Sequence, residues 1–320
     1  MKIKGPLLSV GASGSVGNVL TFSKRKTHQH ARNKQGANKK LTPAQAEWRL
    51  LFDFVSLKWQ SLTDDQKNVY RNLGKELNPS LTGFQYLAKI GMQSPKDYLD
   101  LECFFPLMKK SATNTYKDYS GNNEDIAIYD YTSERLDQEQ YNTKKTRWRL
   151  NRKTTEVYLQ TITSNYYALE RNNFTMNFLY KMKTYGQQQD LVRILNYSIP
   201  KTGFKLLSKD EGFVFSVYDG ETRYYPLFDP VTNYFNRTMY ISFVFTDGKI
   251  TLYVNGVFEK EVVSVNFIMN VANRVIFWNG NTLDPTSTFN LGQFSLLKRA
   301  LSESECLFLY KALKLNETYE

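Results

Sequence analysis

Tyr240-Ile241-Ser242-Phe243-Val244-Phe245-Thr246-Asp247-Gly248-Lys249-Ile250-Thr251-Leu252-Tyr253-Val254-Asn255-Gly256-Val257-Phe258 is the stretch that decides how this chain of 320 residues folds. Its two outer runs are dense in β-branched and aromatic residues, which suit a pleated surface. Between them stands Asp247-Gly248, and Asn255-Gly256 follows at the end of the second run. Both dipeptides supply the positive φ angles of a two-residue hairpin turn. The stretch therefore predicts three antiparallel strands joined by two tight turns.

The same pattern extends outward from it. Phe174 to Tyr180 and Gly212 to Tyr218 are further strand-like runs, the second ending in Asp219-Gly220. Aromatic residues make up 15% of the chain, which strands favour. Many short strands separated by turn signals imply a β-sandwich or jelly roll over residues 126–320. Residues 41–95 show a different period. Trp48, Leu51, Phe52, Val55, Trp59 and Leu62 follow the spacing of one helical face. Thr42 with Gln45 and Thr63 with Gln66 have the spacing of capping boxes, and Thr82-Gly83 opens a third short helix. This aromatic stripe is expected to be core. Residues 96–125 are expected to be a linker, beginning near Ser94-Pro95 and ending in a polar run. The expected fold class is mainly β: a C-terminal antiparallel sandwich, a small helical module before it, and an extended N-terminal arm.

Residues 1–40 form that arm. It has nine lysines and arginines, and no acidic residue precedes Glu47. The whole chain carries 42 − 31 = +11, so most of the excess lies in the arm. Gly11, Gly14 and Gly17 disfavour helix and break the apolar stretch that a leader peptide would need. Val16, Val19, Leu20 and Phe22 are expected to form a short strand that adds to a sheet edge on a neighbour, because such a strand is not stable alone. Lys24, Arg25, Lys26 and Arg32 are expected to supply charge for attachment, with residues 23–40 ordering on assembly. The arm has few aromatics for stacking bases and no nucleic-acid-binding module, so charge alone speaks for nucleic acid and a protein partner is preferred. No apolar run approaches the length of a membrane-spanning helix.

Catalytic chemistry finds little support. The only histidines, His28 and His30, lie in the arm, so the sandwich has none for a nucleophilic triad. Paired carboxylates of a glycosidase should share one strand face. Glu134, Asp137 and Glu139 have the wrong spacing for this, and Asp100 and Glu102 alternate but sit outside the strongest strands. Gly11 to Gly17 lacks the spacing of a phosphate-binding loop. Cys103 and Cys306 are expected to be buried free thiols, and no metal site and no cofactor is expected. The chain is thus read as non-enzymatic. Tyr224, Tyr225, Tyr234, Phe235 and Trp278 are candidate glycan-contacting aromatics.

Two resemblances add to this reading. Lys249-Ile250-Thr251-Leu252-Tyr253-Val254-Asn255-Gly256, and Phe289 to Leu297 followed by Lys298-Arg299-Ala300-Leu301-Ser302, resemble the concanavalin A-like jelly roll of laminin-G-type domains. The likeness covers about residues 126–315 and implies fold rather than function. Gln293 stands where that family often has Asp, which weakens a calcium site. The ordered series Ser9 to Gly17, Leu20 to Ser23, Leu41 to Gln45, Trp59 to Gln66 and Leu81-Thr82-Gly83-Phe84 resembles a group of tailed-phage virion proteins. It covers about residues 5–93 and implies a place in a virus particle. The resulting expectation is a structural virion protein, a head-decoration, head-fibre or tail-associated subunit. It would be attached through the arm to capsid, portal or tail subunits, homo-oligomeric in the particle, with an outward jelly roll contacting glycans. The alternative is a carbohydrate-binding adhesin or receptor-binding module.

Overall fold

The structure is a computed structural model. It describes residues 14–16, 20–25, 28–33, 43–106, 115–122, 125–129, 136–142, 147–152, 158–161, 173–182, 189–196, 202–209, 212–219, 222–226, 237–263, 274–277 and 289–313. The chain divides into two compact units, Met1–Leu41 and Thr42–Glu320.

The first unit is a three-stranded antiparallel sheet of β1 (Gly14–Val16), β2 (Leu20–Arg25) and β3 (His28–Asn33), in that order. Val16, Leu20 and Phe22, expected in a short strand, lie in β1 and β2, and residues 28–33 of the segment that follows form β3. Residues 28–33 pair with residues 20–25 over six positions, from Leu20 opposite Asn33 to Arg25 opposite His28.

The second unit contains α1 (Pro43–Ser61), α2 (Asp64–Lys75), α3 (Gly83–Gln93) and the short α4 (Pro95–Tyr98), then two large sheets, then α5 (Glu303–Leu313). Thr63 and Thr82 accept from Gln66 and Gln85 backbone amides, and each glutamine side chain returns the bond, completing both capping boxes. The first large sheet runs β17 (Val257–Val262), β16 (Lys249–Val254), β15 (Met239–Thr246), β10 (Asn173–Met182), β19 (Phe289–Leu297), β8 (Arg147–Arg152), β7 (Leu136–Asn142), and β4 (Leu101–Phe105) also pairs with β19. The second runs β14 (Thr222–Pro226), β13 (Gly212–Asp219), β12 (Thr202–Lys209), β11 (Gln189–Asn196), β18 (Arg274–Phe277), β9 (Tyr158–Thr161), β6 (Ile126–Tyr129), β5 (Thr115–Tyr116). All the pairings are antiparallel.

The two sheets close over one core. Phe174, Phe178, Ile241, Phe243 and Phe245 of the first sheet cluster with Val192, Ile194, Phe204, Leu206 and Phe215 of the second. Across the gap the Phe174 and Phe204 rings stack at 5.5 Å. A second core lies on the outer face of the first sheet. There Phe104, Leu179, Tyr240, Val244 and Leu297 meet Leu50, Leu51, Phe54 and Val55 of α1, Leu87 of α3, and Cys306, Leu309 and Leu313 of α5. The second unit is therefore three layers, helices on sheet on sheet. β15 sits in the middle layer and is buried along both faces until Thr246. That explains why its sequence is almost continuously apolar instead of alternating.

The linker expected over 96–125 is corrected by the same geometry. Leu101-Glu102-Cys103-Phe104-Phe105 is a buried strand paired with β19, and Thr115-Tyr116 pairs with β6. With both faces covered, β4 has no polar alternation to mark it in the sequence. The two predicted hairpins are present. Asp247 and Gly248 have φ of 46° and 78°, and Asn255 and Gly256 have 54° and 76°. Cys103 and Cys306 are buried and free.

Candidate functional site

The helical layer presents an aromatic surface that the sequence assigned to the core. On the α1 stripe, Leu51 and Val55 are buried, but Trp48 and Phe52 are 47% and 40% exposed. Phe52 is flanked by Phe84 of α3, ring to ring at 5.7 Å and nearly perpendicular. Trp48 stands perpendicular to Tyr119, with centroids 6.1 Å apart. These two rings make a right-angled corner where α1 meets the segment after β5.

The corner is held rigidly from behind. Tyr119 donates its hydroxyl to the buried Glu47 carboxylate and its backbone N–H to the Phe104 carbonyl. Burial and then the bond to Glu47 push the Tyr119 hydroxyl well above the ordinary phenol range, so it stays a neutral donor. The neighbouring Asp118 is buried, and its carboxylate accepts from Phe104 N–H at 3.0 Å, Ser120 N–H at 2.9 Å and Ser120 Oγ at 2.6 Å. The Asp125 side chain in turn accepts from Asp118 N–H at 3.0 Å. Lys117 is exposed, with Nζ 5.4 Å from the centre of the Tyr119 ring. An exposed indole, a fixed phenol and a cation side by side can stack a flat ring and attract an anionic substituent.

Asp100 and Glu102, two of the carboxylates considered for catalysis, are held in ion pairs. Asp100, at φ 58°, pairs with Lys58 at 2.8 Å and Arg299 at 3.1 Å. Glu102 pairs with Lys298 at 2.7 Å, and Arg299 also reaches Glu305 at 2.8 Å. These ion pairs tie α1, β4, the end of β19 and α5 together. Thr175 of β10 secures the same turn, accepting from Leu301 N–H and donating to the Arg299 carbonyl, both at 2.9 Å. The Lys298 to Ser302 motif is thus an anchored corner beneath α5. Gln293 is buried within β19. Among the described residues, no three His, Cys, Asp or Glu gather into a metal-binding group.

Of the aromatics nominated from the sequence, Tyr224 and Tyr225 are among the described residues. Tyr224 and Tyr225 lie side by side on the edge strand β14, opposite Ser216 and Phe215, so they occupy opposite faces of the sheet. Tyr234, Phe235 and Trp278 lie outside the described residues, as do Val19 and Lys26 of the arm. Val16 is in β1, Leu20, Phe22, Lys24 and Arg25 in β2, and Arg32 in β3. The signal for Trp48 and Phe52 was present in the α1 stripe. Periodicity finds such a stripe but not which part of it a neighbour covers.

The second unit has the fold class of antiparallel β-sandwiches. Solved structures with a similar fold are receptor-binding domains of botulinum neurotoxins. The C/D mosaic serotype domain matches with a TM-score of 0.53 and 14% identity, covering 66% of this chain and 51% of that one. The serotype D ligand-binding domain in complex with N-acetylneuraminic acid gives 0.51 and 13%, covering 66% and 50%. The serotype DC binding domain in complex with SialylT gives 0.52 and 14%, covering 68% and 51%. The chain spans about half the length of these structures, and at such identity the likeness is one of fold. No protein-family model and no curated protein sequence matches the chain.

Proposed function

We propose that this chain is a non-enzymatic glycan-binding protein that contacts cell-surface carbohydrate through the Trp48–Tyr119–Lys117 corner. The observation that carries the reading is that corner: a solvent-facing indole beside a phenol fixed by a buried carboxylate, with a lysine within reach. Sugar sites combine such aromatic area with a few fixed polar groups. The fold supports the reading, since two neighbours of the same architecture are complexes with N-acetylneuraminic acid and with SialylT. The test is a glycan array probed with the full chain and with Trp48→Ala. The full chain should retain a defined set of glycans, and Trp48→Ala should lose about tenfold or more in affinity for them, the order of one aromatic stacking contact. Retention of no glycan by the full chain would contradict the proposal.

The second reading, a structural virion protein of a tailed phage, is favoured by the ordered motif series over residues 5–93 and by the separate, basic N-terminal unit. In this reading the unit attaches the chain to capsid, portal or tail subunits, the protein is oligomeric in the virion, and the sandwich faces outward. The two readings are compatible, one describing attachment and the other recognition.

A further inference from the structure

Strand pairing in the N-terminal unit sorts its charges onto one face. Successive residues of a strand belong to alternate faces, and residues directly opposite on paired strands share a face. With Arg25 opposite His28, Ser23 opposite His30 and Thr21 opposite Arg32, these six residues lie on one face. β1 adds Ser15, opposite Thr21. The other face takes Val16, Leu20, Phe22 and Ala31, and Lys24 is the one charged residue there among the described residues. Both histidines of the chain and both arginines that precede Glu47 therefore fall on the same face. No acidic residue occurs before Glu47.

We propose that this face binds the phosphate backbone of a nucleic acid without reading its bases, and binds it more tightly in mildly acidic solution. The arginine guanidinium matches phosphate oxygens in a two-pronged geometry. His28, His30 and Arg32 occupy alternate positions of one strand, about 6.8 Å apart. Such a row of evenly spaced positive charge complements a linear polymer of evenly spaced negative charge better than the mixed surface of a folded acidic protein. Among the described residues of this face none is aromatic, so the proposed contact is to phosphate and carries no sequence information. The sequence argument against a base-stacking module is unchanged, since phosphate contact needs none.

The pH dependence follows from the residues on the face. Histidine is the side chain whose ionisation ordinarily falls between pH 5 and 8, so acidification from 7.5 to 5.5 adds positive charge to this face. The other groups there, Ser15, Thr21 and Ser23, do not titrate, and the two arginines stay charged throughout. A bound phosphate favours the protonated imidazoles, so binding takes up protons and strengthens as pH falls.

The experiment measures binding of the full chain to a fluorescent DNA duplex of arbitrary sequence, at both pH values over a salt series. Affinity should rise about tenfold or more at pH 5.5, and the slope of log K against log salt should steepen from about −1.8 to about −3.6, for two and then four neutralised phosphates. His28→Gln/His30→Gln should flatten the pH dependence. Arg25→Ser should weaken binding, while Lys24→Ser, adjacent in sequence but on the opposite face, should change it little. Equal losses from those two variants would overturn the face assignment. Polyglutamate competing as well as DNA would overturn nucleic acid as the ligand, and no binding at pH 5.5 would overturn the proposal outright. Because the chain has two histidines, their NMR titration gives a second readout. Both imidazoles should titrate at higher pH when DNA is added, and unchanged titration would contradict the proposal.

Discussion

At Gly256 a single hydrogen atom decides whether a turn and a helix can meet. A Cβ there would lie 2.6 Å from Leu307 Cα of α5, and the residue has a φ of 76°. Before it, Asn255 at φ 54° accepts from Tyr240 N–H through its side chain at 2.9 Å and donates its own N–H to the Tyr240 carbonyl at 2.7 Å. Gly256→Ala should therefore cost about 1–3 kcal/mol, measured by denaturant unfolding, through backbone strain and displacement of α5. Cys306 lies on the buried side of the same helix, where burial pushes its thiol up to about 12. In the folded protein it should resist a thiol reagent at pH 8, reacting only after denaturant is added. Glu305, one residue earlier, is pulled in two directions. Burial raises its carboxyl, but the Arg299 bond and the Ser302 backbone N–H hold it below the usual range. A depressed carboxylate stabilises the fold above its unfolded value and loses that contribution as pH falls through its folded value. Thermal stability should thus decline below about pH 4.5, and Glu305→Gln should be less stable at neutral pH with a shallower acid decline.

At the scale of elements, what could be read in the sequence depended on how local the cause was. Asp247-Gly248 and Asn255-Gly256 announce their hairpins because the positive φ angles are demanded within two residues. Thr63 with Gln66, and Thr82 with Gln85, announce helix starts for the same reason. β4 was illegible because its partner β19 is nearly two hundred residues away and both its faces are covered, leaving no alternation. The helical layer was legible as helices but not as a lid on the first sheet. Phe54 of α1 meets Phe104 of β4 at 5.1 Å, deep in the second core. Phe54→Ala should accordingly destabilise the whole second unit by about 3–5 kcal/mol in a single cooperative transition. A separate early melting of the helices would show instead that they are an independent module. β17, an edge strand with Val257 and Phe258 exposed, carries Glu259, Lys260 and Glu261 in succession. Such charges discourage pairing with other chains.

For the molecule as a whole, two units divide the work that we propose. The N-terminal sheet is basic and compact in its own right, and the second unit contains both hydrophobic cores. On the virion reading, deleting residues 1–40 should leave the sandwich folded by circular dichroism while abolishing incorporation into a particle, and normal incorporation would sink the attachment role. The proposed recognition site was less legible than the fold. Sequence pointed to Tyr224, Tyr225, Tyr234, Phe235 and Trp278 because aromatic side chains are common to cores and sugar sites, whereas the Trp48–Tyr119 corner arises from segments about seventy residues apart. The most direct measurement titrates the strongest array glycan against the full chain, Trp48→Ala and Tyr224→Ala/Tyr225→Ala by calorimetry. The account predicts binding by the full chain and by the tyrosine variant, with a loss of about tenfold or more confined to Trp48→Ala. Undiminished binding by Trp48→Ala, or a loss confined to the tyrosine variant, would contradict it.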